Sequence, residues 1–140
     1  MKTTQKIIVA TLLFAQALVG MSCNNDDDTQ DPIIGKWQLE QIFTGDVSDD
    51  ISNCQKESTL EFKADGTYVE INSDKASFDT ECFTTTFDTD LFWENSGNNT
   101  YTFTDTGDVF KVDVTFIDGK LRLSTSEDGE NVAGVYMRID

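Results

Sequence analysis

The chain of 140 residues contains no histidine. That removes the commonest general base and the commonest metal ligand. Serines and threonines are frequent, but none has a familiar base to activate it. Carboxylates are the abundant reactive groups, in pairs such as Asp88 with Asp90 and Glu127 with Asp128. Acid–base catalysis needs such a pair held in a cleft with its pKa values pushed apart. Pairs on turns read instead as solvated surface. Asp26-Asp27-Asp28 and Asp105 to Asp108 suggest weak calcium binding, yet neither has EF-hand spacing. No phosphate-cradling or dinucleotide motif is present. The expectation is therefore a non-enzyme with no catalytic residue, no metal and no cofactor. The remaining chemistry belongs to three cysteines, Cys23, Cys54 and Cys82.

Cys23 ends a stretch with the layout of an export signal. Met1 to Lys6 is a short basic start, Ile7 to Val19 is apolar, and Gly20-Met21-Ser22 forms a small-residue cleavage region. A cysteine at that place resembles the lipobox of bacterial lipoproteins, where the thiol is acylated and the chain is cut before it. Gly20 stands where that pattern usually has leucine. A plain secretory signal and a retained membrane helix are the alternatives. The apolar run is shorter than the roughly 20 residues a span needs, and Thr11 and Gln16 interrupt it. The resemblance implies a signal peptide over 1–22, lipidation at Cys23 and stable anchoring to a membrane. Residues 23–32 then form a lipidated, acidic tether, all polar from Asn24 to Asp31, with a reach of about 26 Å. The tether is similar to the acidic export tags of surface lipoproteins in some Gram-negative bacteria. That similarity implies the outer membrane, and its external face ahead of its periplasmic one.

With Cys23 taken by lipid, Cys54 and Cys82 remain as one pair, which an oxidising compartment would join. Two free buried thiols are the alternative. The formal net charge is −16, and Lys2 and Lys6 would leave with the signal, making the processed chain more acidic still. That charge opposes nucleic acid and anionic headgroups.

Beyond Pro32 the chain turns rich in Thr, Phe, Val and Ile, with period-two alternation and frequent turn residues. Eight strands are predicted. The first runs from Ile34 to Thr44, with Trp37, Leu39 and Phe43 on one face and Gln41 as its polar exception. A polar loop, 46–55, carries Cys54. Strands follow over 58–63 and 67–72, around the Ala64-Asp65-Gly66 turn. Residues 73–82 form a second loop. The fourth strand, 85–94, turns Trp93 inward and is expected to bend or bulge at Asp88-Thr89-Asp90. The rest span 100–104, 109–117, 120–125 and 132–139, with Asp118-Gly119 as a hairpin signal. Such a meander must deal with its edges, and closing removes them. The expected fold class is all-β, an eight-stranded antiparallel up-and-down barrel over residues 33–140. Its interior has room for side chains or one small ligand.

Gly35-Lys36-Trp37 resembles the Gly-x-Trp motif that opens the first strand of lipocalins. Arg138 stands where those proteins carry an arginine over that tryptophan. Cys54, Leu60-Glu61-Phe62, Asp65-Gly66-Thr67-Tyr68, Cys82, Trp93 and Tyr136-Met137-Arg138 are together similar to bacterial lipocalin-like lipoprotein domains. The resemblance implies that Arg138 stacks on Trp37 where the barrel closes. It also implies a membrane-anchored module for a small apolar or amphipathic ligand. The alternative is a filled barrel that contacts a protein partner in a cell-surface assembly. Aromatic residues such as Tyr68, Trp93, Phe103 and Phe110 belong to the core or to a pocket mouth.

Overall fold

The computed structural model describes residues 29–76 and 81–140. The signal segment, Cys23 and the acidic run to Asp28 lie outside the described residues. The regular structure of the described chain is almost all strand: β1 (Gly35–Thr44), β2 (Val47–Ser48), β3 (Thr59–Phe62), β4 (Tyr68–Lys75), β5 (Cys82–Phe87), β6 (Leu91–Gly97), β7 (Thr100–Asp105), β8 (Asp108–Ile117), β9 (Lys120–Glu127) and β10 (Glu130–Arg138), with one 3-10 turn at Gln55–Glu57. Two-residue loops tighten several hairpins. At Asp118-Gly119 both residues have positive φ, 52° and 76°, which matches the right-handed twist of the flanking strands.

The strands form one curled antiparallel sheet in the order β5-β4-β3-β1-β10-β9-β8-β7-β6, with β2 against β1. Among the described residues there are ten strands where the sequence predicts eight, and the hydrogen-bonded ladders form a half-barrel with β5 and β6 at its edges. The cause is local. The predicted fourth strand bends at Asp88-Thr89-Asp90, where Asp90 takes φ 58°. Its first part, β5, pairs with β4. Its second part, β6, pairs with β7. The β6 edge meets the β3–β4 hairpin through a bridge between Thr67 and Phe92, and through Trp93 N donating to Gly66 O at 2.8 Å. The tenth strand is the short β2, inside the predicted polar loop.

A bulge decides which residues of β1 face inward. Trp37, Gln38 and Leu39 pair in step with β10, but Glu40 is skipped between Leu39 and Gln41. One extra residue reverses the alternation beyond it. Ile42 therefore joins the inner wall, and Gln41 and Phe43 turn outward. This corrects the expectation that Phe43 shares a face with Trp37 and Leu39. It also explains Gln41, whose amide reaches Ser48 Oγ at 2.6 Å and Asp49 O at 2.7 Å on the outer side.

One end of the curl is shut. Ile33, Trp37, Phe62, Val114 and Leu121 are almost fully buried there. The segment before β1 crosses this end as a plug. Asp31 Oδ1 accepts from Tyr101 Oη at 2.8 Å and from Ile33 N at 3.0 Å, while Asp31 Oδ2 accepts from Asn95 Nδ2 at 2.8 Å. Trp37 Nε1 donates to Ile33 O at 2.7 Å. Asp31, read as tether from its polarity, is thus part of the folded end.

Candidate functional site

The β3–β4 hairpin builds one wall of the interior. Alternation sends Leu60, Phe62, Tyr68 and Glu70 inward, as the pairs Leu60↔Glu70 and Phe62↔Tyr68. Opposite, β8 contributes Phe110 and Val112, β9 contributes Leu123 and Thr125, and β10 contributes Val132, Gly134 and Tyr136. Between them lies a cavity of about 250 Å³. A second cavity of about 310 Å³ continues toward Leu39, Ile42, Ser58 and Asn72. Leu60, Glu70 and Tyr136 line both and form the partition. The wall of the first is aromatic: Phe103 meets Tyr68 edge-on at 5.4 Å and stacks on Phe110 at 5.9 Å. Phe110 keeps 41 % of its surface exposed, so this wall reaches solvent. Such a concave apolar surface with a few polar groups has the make-up of a small-molecule site.

Tyr136 owes its position to Gly134. A Cβ on Gly134 would come within 2.7 Å of the Tyr136 ring and 2.8 Å of its hydroxyl. The ring thus packs closely over a backbone that has no side chain. Burial pushes the Tyr136 phenol up to about 12, and the negative charge of Glu70 adds to this. Tyr68 is raised as well, by burial and then by Glu70 and Asp105. Two phenols that stay neutral at ordinary pH therefore face the interior beside the Glu70 side chain. Asn72 Nδ2 donates to Glu70 Oε1 at 2.8 Å. Ser73 lines the second cavity, and its buried hydroxyl has no hydrogen-bond partner among the described residues.

The structure brings Cys54 and Cys82 together as a disulfide with Cα atoms 5.3 Å apart. It pins the 3-10 turn to the start of the edge strand β5. Trp37 and Arg138 are direct partners across the β1–β10 ladder, with Arg138 Cζ 4.3 Å from the indole centre. These four residues frame the interior rather than line it. Cys23 lies outside the described residues. The carboxylates Asp88 and Asp90 sit exposed at the β5–β6 bend. Among the described residues no three acidic or cysteine side chains converge as metal ligands would. The sequence reading missed Glu70 and Gly134. The signal for Glu70 was present, since it shares parity with Tyr68 on a strand whose partner turns Leu60 inward.

On the outer face, a groove of about 460 Å³ lies over Phe43, Ile117 and Val135. Arg122 Cζ stands 5.3 Å from the Phe43 ring centre, and Lys120 pairs with Glu40 at 2.6 Å beside it. No protein-family model matches the chain, and neither a curated protein nor a solved structure shows significant similarity to it.

Proposed function

We propose that this chain is a membrane-anchored, lipocalin-like binding module that holds a small apolar or amphipathic molecule inside the curled sheet. In this reading β5 and β6 act as one bent strand, so that eight strands complete a barrel. The carrying observation is the asymmetry of the interior. One end is plugged by Ile33, Trp37 and the Arg138 guanidinium, while two cavities meet at Leu60, Glu70 and Tyr136. Lipidation at Cys23 would anchor the chain to the outer membrane of a Gram-negative cell, facing outward. The plug begins at Asp31, so the shut end would face the lipid and the cavities would point away.

The test is a titration of the full chain carrying Cys23→Ser with N-phenyl-1-naphthylamine, a neutral apolar dye. Saturable binding is expected, and Thr125→Trp, which fills the first cavity, should abolish it. Equal binding by both chains would locate the dye elsewhere and remove this reading. In parallel, wild type should stay with membranes through a carbonate wash, and Cys23→Ser should be released.

A second reading, a protein-interaction module of a surface assembly, draws support from the outer groove over Phe43 and from exposed Phe83, Phe87 and Phe92 along the β5 and β6 edges. Cross-linking on whole cells that traps a defined partner through these residues, with no dye binding, would favour it.

A further inference from the structure

Glu70 is a half-buried carboxylate on the wall shared by both cavities. Its surroundings are aromatic. Tyr68 precedes it by two residues on the same face, and Phe87 is its direct partner on β5. Tyr136 lines both cavities with it. Among the described residues, no lysine or arginine forms an ion pair with Glu70, and Asn72 donates to one of its oxygens. A carboxylate without a counter-charge, beside aromatic residues and partly out of water, attracts a cation in two ways. Coulomb attraction grows as water is excluded, and the ring quadrupoles add to it. The same wall repels a fatty-acid carboxylate. The chain's net charge of −16 biases the whole field the same way.

The geometry points to an amphiphile with a cationic head, an alkylammonium, whose head rests on Glu70 between Tyr68, Phe87 and Tyr136. Its apolar part would run along Phe103, Phe110 and Leu123. The inference rests on the binding-module reading and deepens it by naming the ligand class.

The experiment uses the full chain carrying Cys23→Ser and calorimetry with three probes of one tail length: octyltrimethylammonium, octanol and octanoate. Wild type should bind the ammonium probe at least about tenfold more tightly than octanol, and octanoate most weakly. Glu70→Gln preserves shape, so it should reduce the preference to within about twofold while leaving octanol binding intact. Glu61→Gln, on the outer face of the neighbouring strand, should keep the wild-type preference and the wild-type circular dichroism. Equal binding of all three probes by wild type, or a preference for octanoate, overturns the cationic ligand and leaves the cavity reading standing. Binding of none of them overturns both. A preference that survives Glu70→Gln removes Glu70 as its source.

Discussion

The Arg138 guanidinium carbon lies 4.3 Å from the centre of the Trp37 indole, and the two residues pair directly across β1 and β10. The same guanidinium donates to two carbonyls of the plug, Nη2 to Pro32 O at 2.9 Å and Nη1 to Ile34 O at 3.1 Å. One side chain therefore covers the indole and ties down the segment that crosses the shut end. Gly35 makes this approach feasible, because a Cβ there would meet Arg138 Nη1 and the Asp140 carboxylate.

Arg138→Ala should therefore cost more than a surface arginine does. The side chain is 40 % exposed, so its cation–π contact is worth about 1 kcal/mol rather than the 2 of a desolvated pair. Losing two charge-assisted hydrogen bonds and the packing of the stem brings the total to about 2 kcal/mol. Thermal unfolding should fall by several degrees. Arg122→Ala is the comparison, and it is not inert, since Arg122 covers Phe43. That contact is solvated and more distant, at 5.3 Å, so its loss should cost no more than about 1 kcal/mol. Equal losses in the two variants would show that the shut end does not depend on Arg138.

Removing the disulfide with Cys54→Ala and Cys82→Ala should lower stability by roughly 3.6 kcal/mol in the chain-entropy account, from the sequence separation of 28 between the cysteines. Denaturant unfolding with and without reductant measures it directly. A loss below about 1 kcal/mol would mean that the cross-link restrains little of the unfolded chain.

What the sequence made legible was local. Alternation put Trp37 and Leu39 on one face, because a strand with one buried face must alternate. Turn residues located the hairpins, because positive φ selects Gly, Asn and Asp. The bend at Asp88-Thr89-Asp90 was visible too. Its consequence was not, because whether β5 and β6 share one neighbour or take two depends on curl and register across the sheet. The Glu40 bulge was hidden for a related reason. Nothing in Leu39-Glu40-Gln41 marks the skipped residue, so parity beyond it could not be assigned, and Phe43 with Ile42 came out reversed. Gly134 carried no signal in the sequence, although a Cβ there would come within 2.7 Å of the Tyr136 ring.

All three tyrosines have phenols raised above the ordinary value near 10. Burial is the leading cause for each. For Tyr101 the hydrogen bond to Asp31 comes next, and for Tyr136 and Tyr68 the charge of Glu70 does. The folded state thus holds these protons more tightly than the unfolded chain, so stability falls as pH rises above about 10 and is fully present below it. Phenolate absorbance should show no ordinary tyrosine titrating near pH 10 in the folded protein, and three doing so in denaturant. One phenolate appearing near pH 10 without unfolding would mean that a ring is solvated.

Gly134→Ala sets two effects of opposite sign against each other. Alanine in a strand restricts the unfolded chain more than glycine does, which stabilises by about 0.5–1 kcal/mol. Against that, the new methyl would sit within 2.7 Å of the Tyr136 ring. The ring moves as one rigid body and packs against the hydrophobic core, so it cannot give way cheaply. Overpacking of this kind costs about 1–3 kcal/mol, and the net change should be destabilising. With Tyr136→Leu in the background the clash disappears, and Gly134→Ala should become neutral or mildly stabilising. The double-mutant cycle therefore predicts a coupling of about 1–3 kcal/mol between the two positions. Additive effects would show that the Tyr136 ring does not rest on Gly134, and the partition between the two cavities would then lose its support.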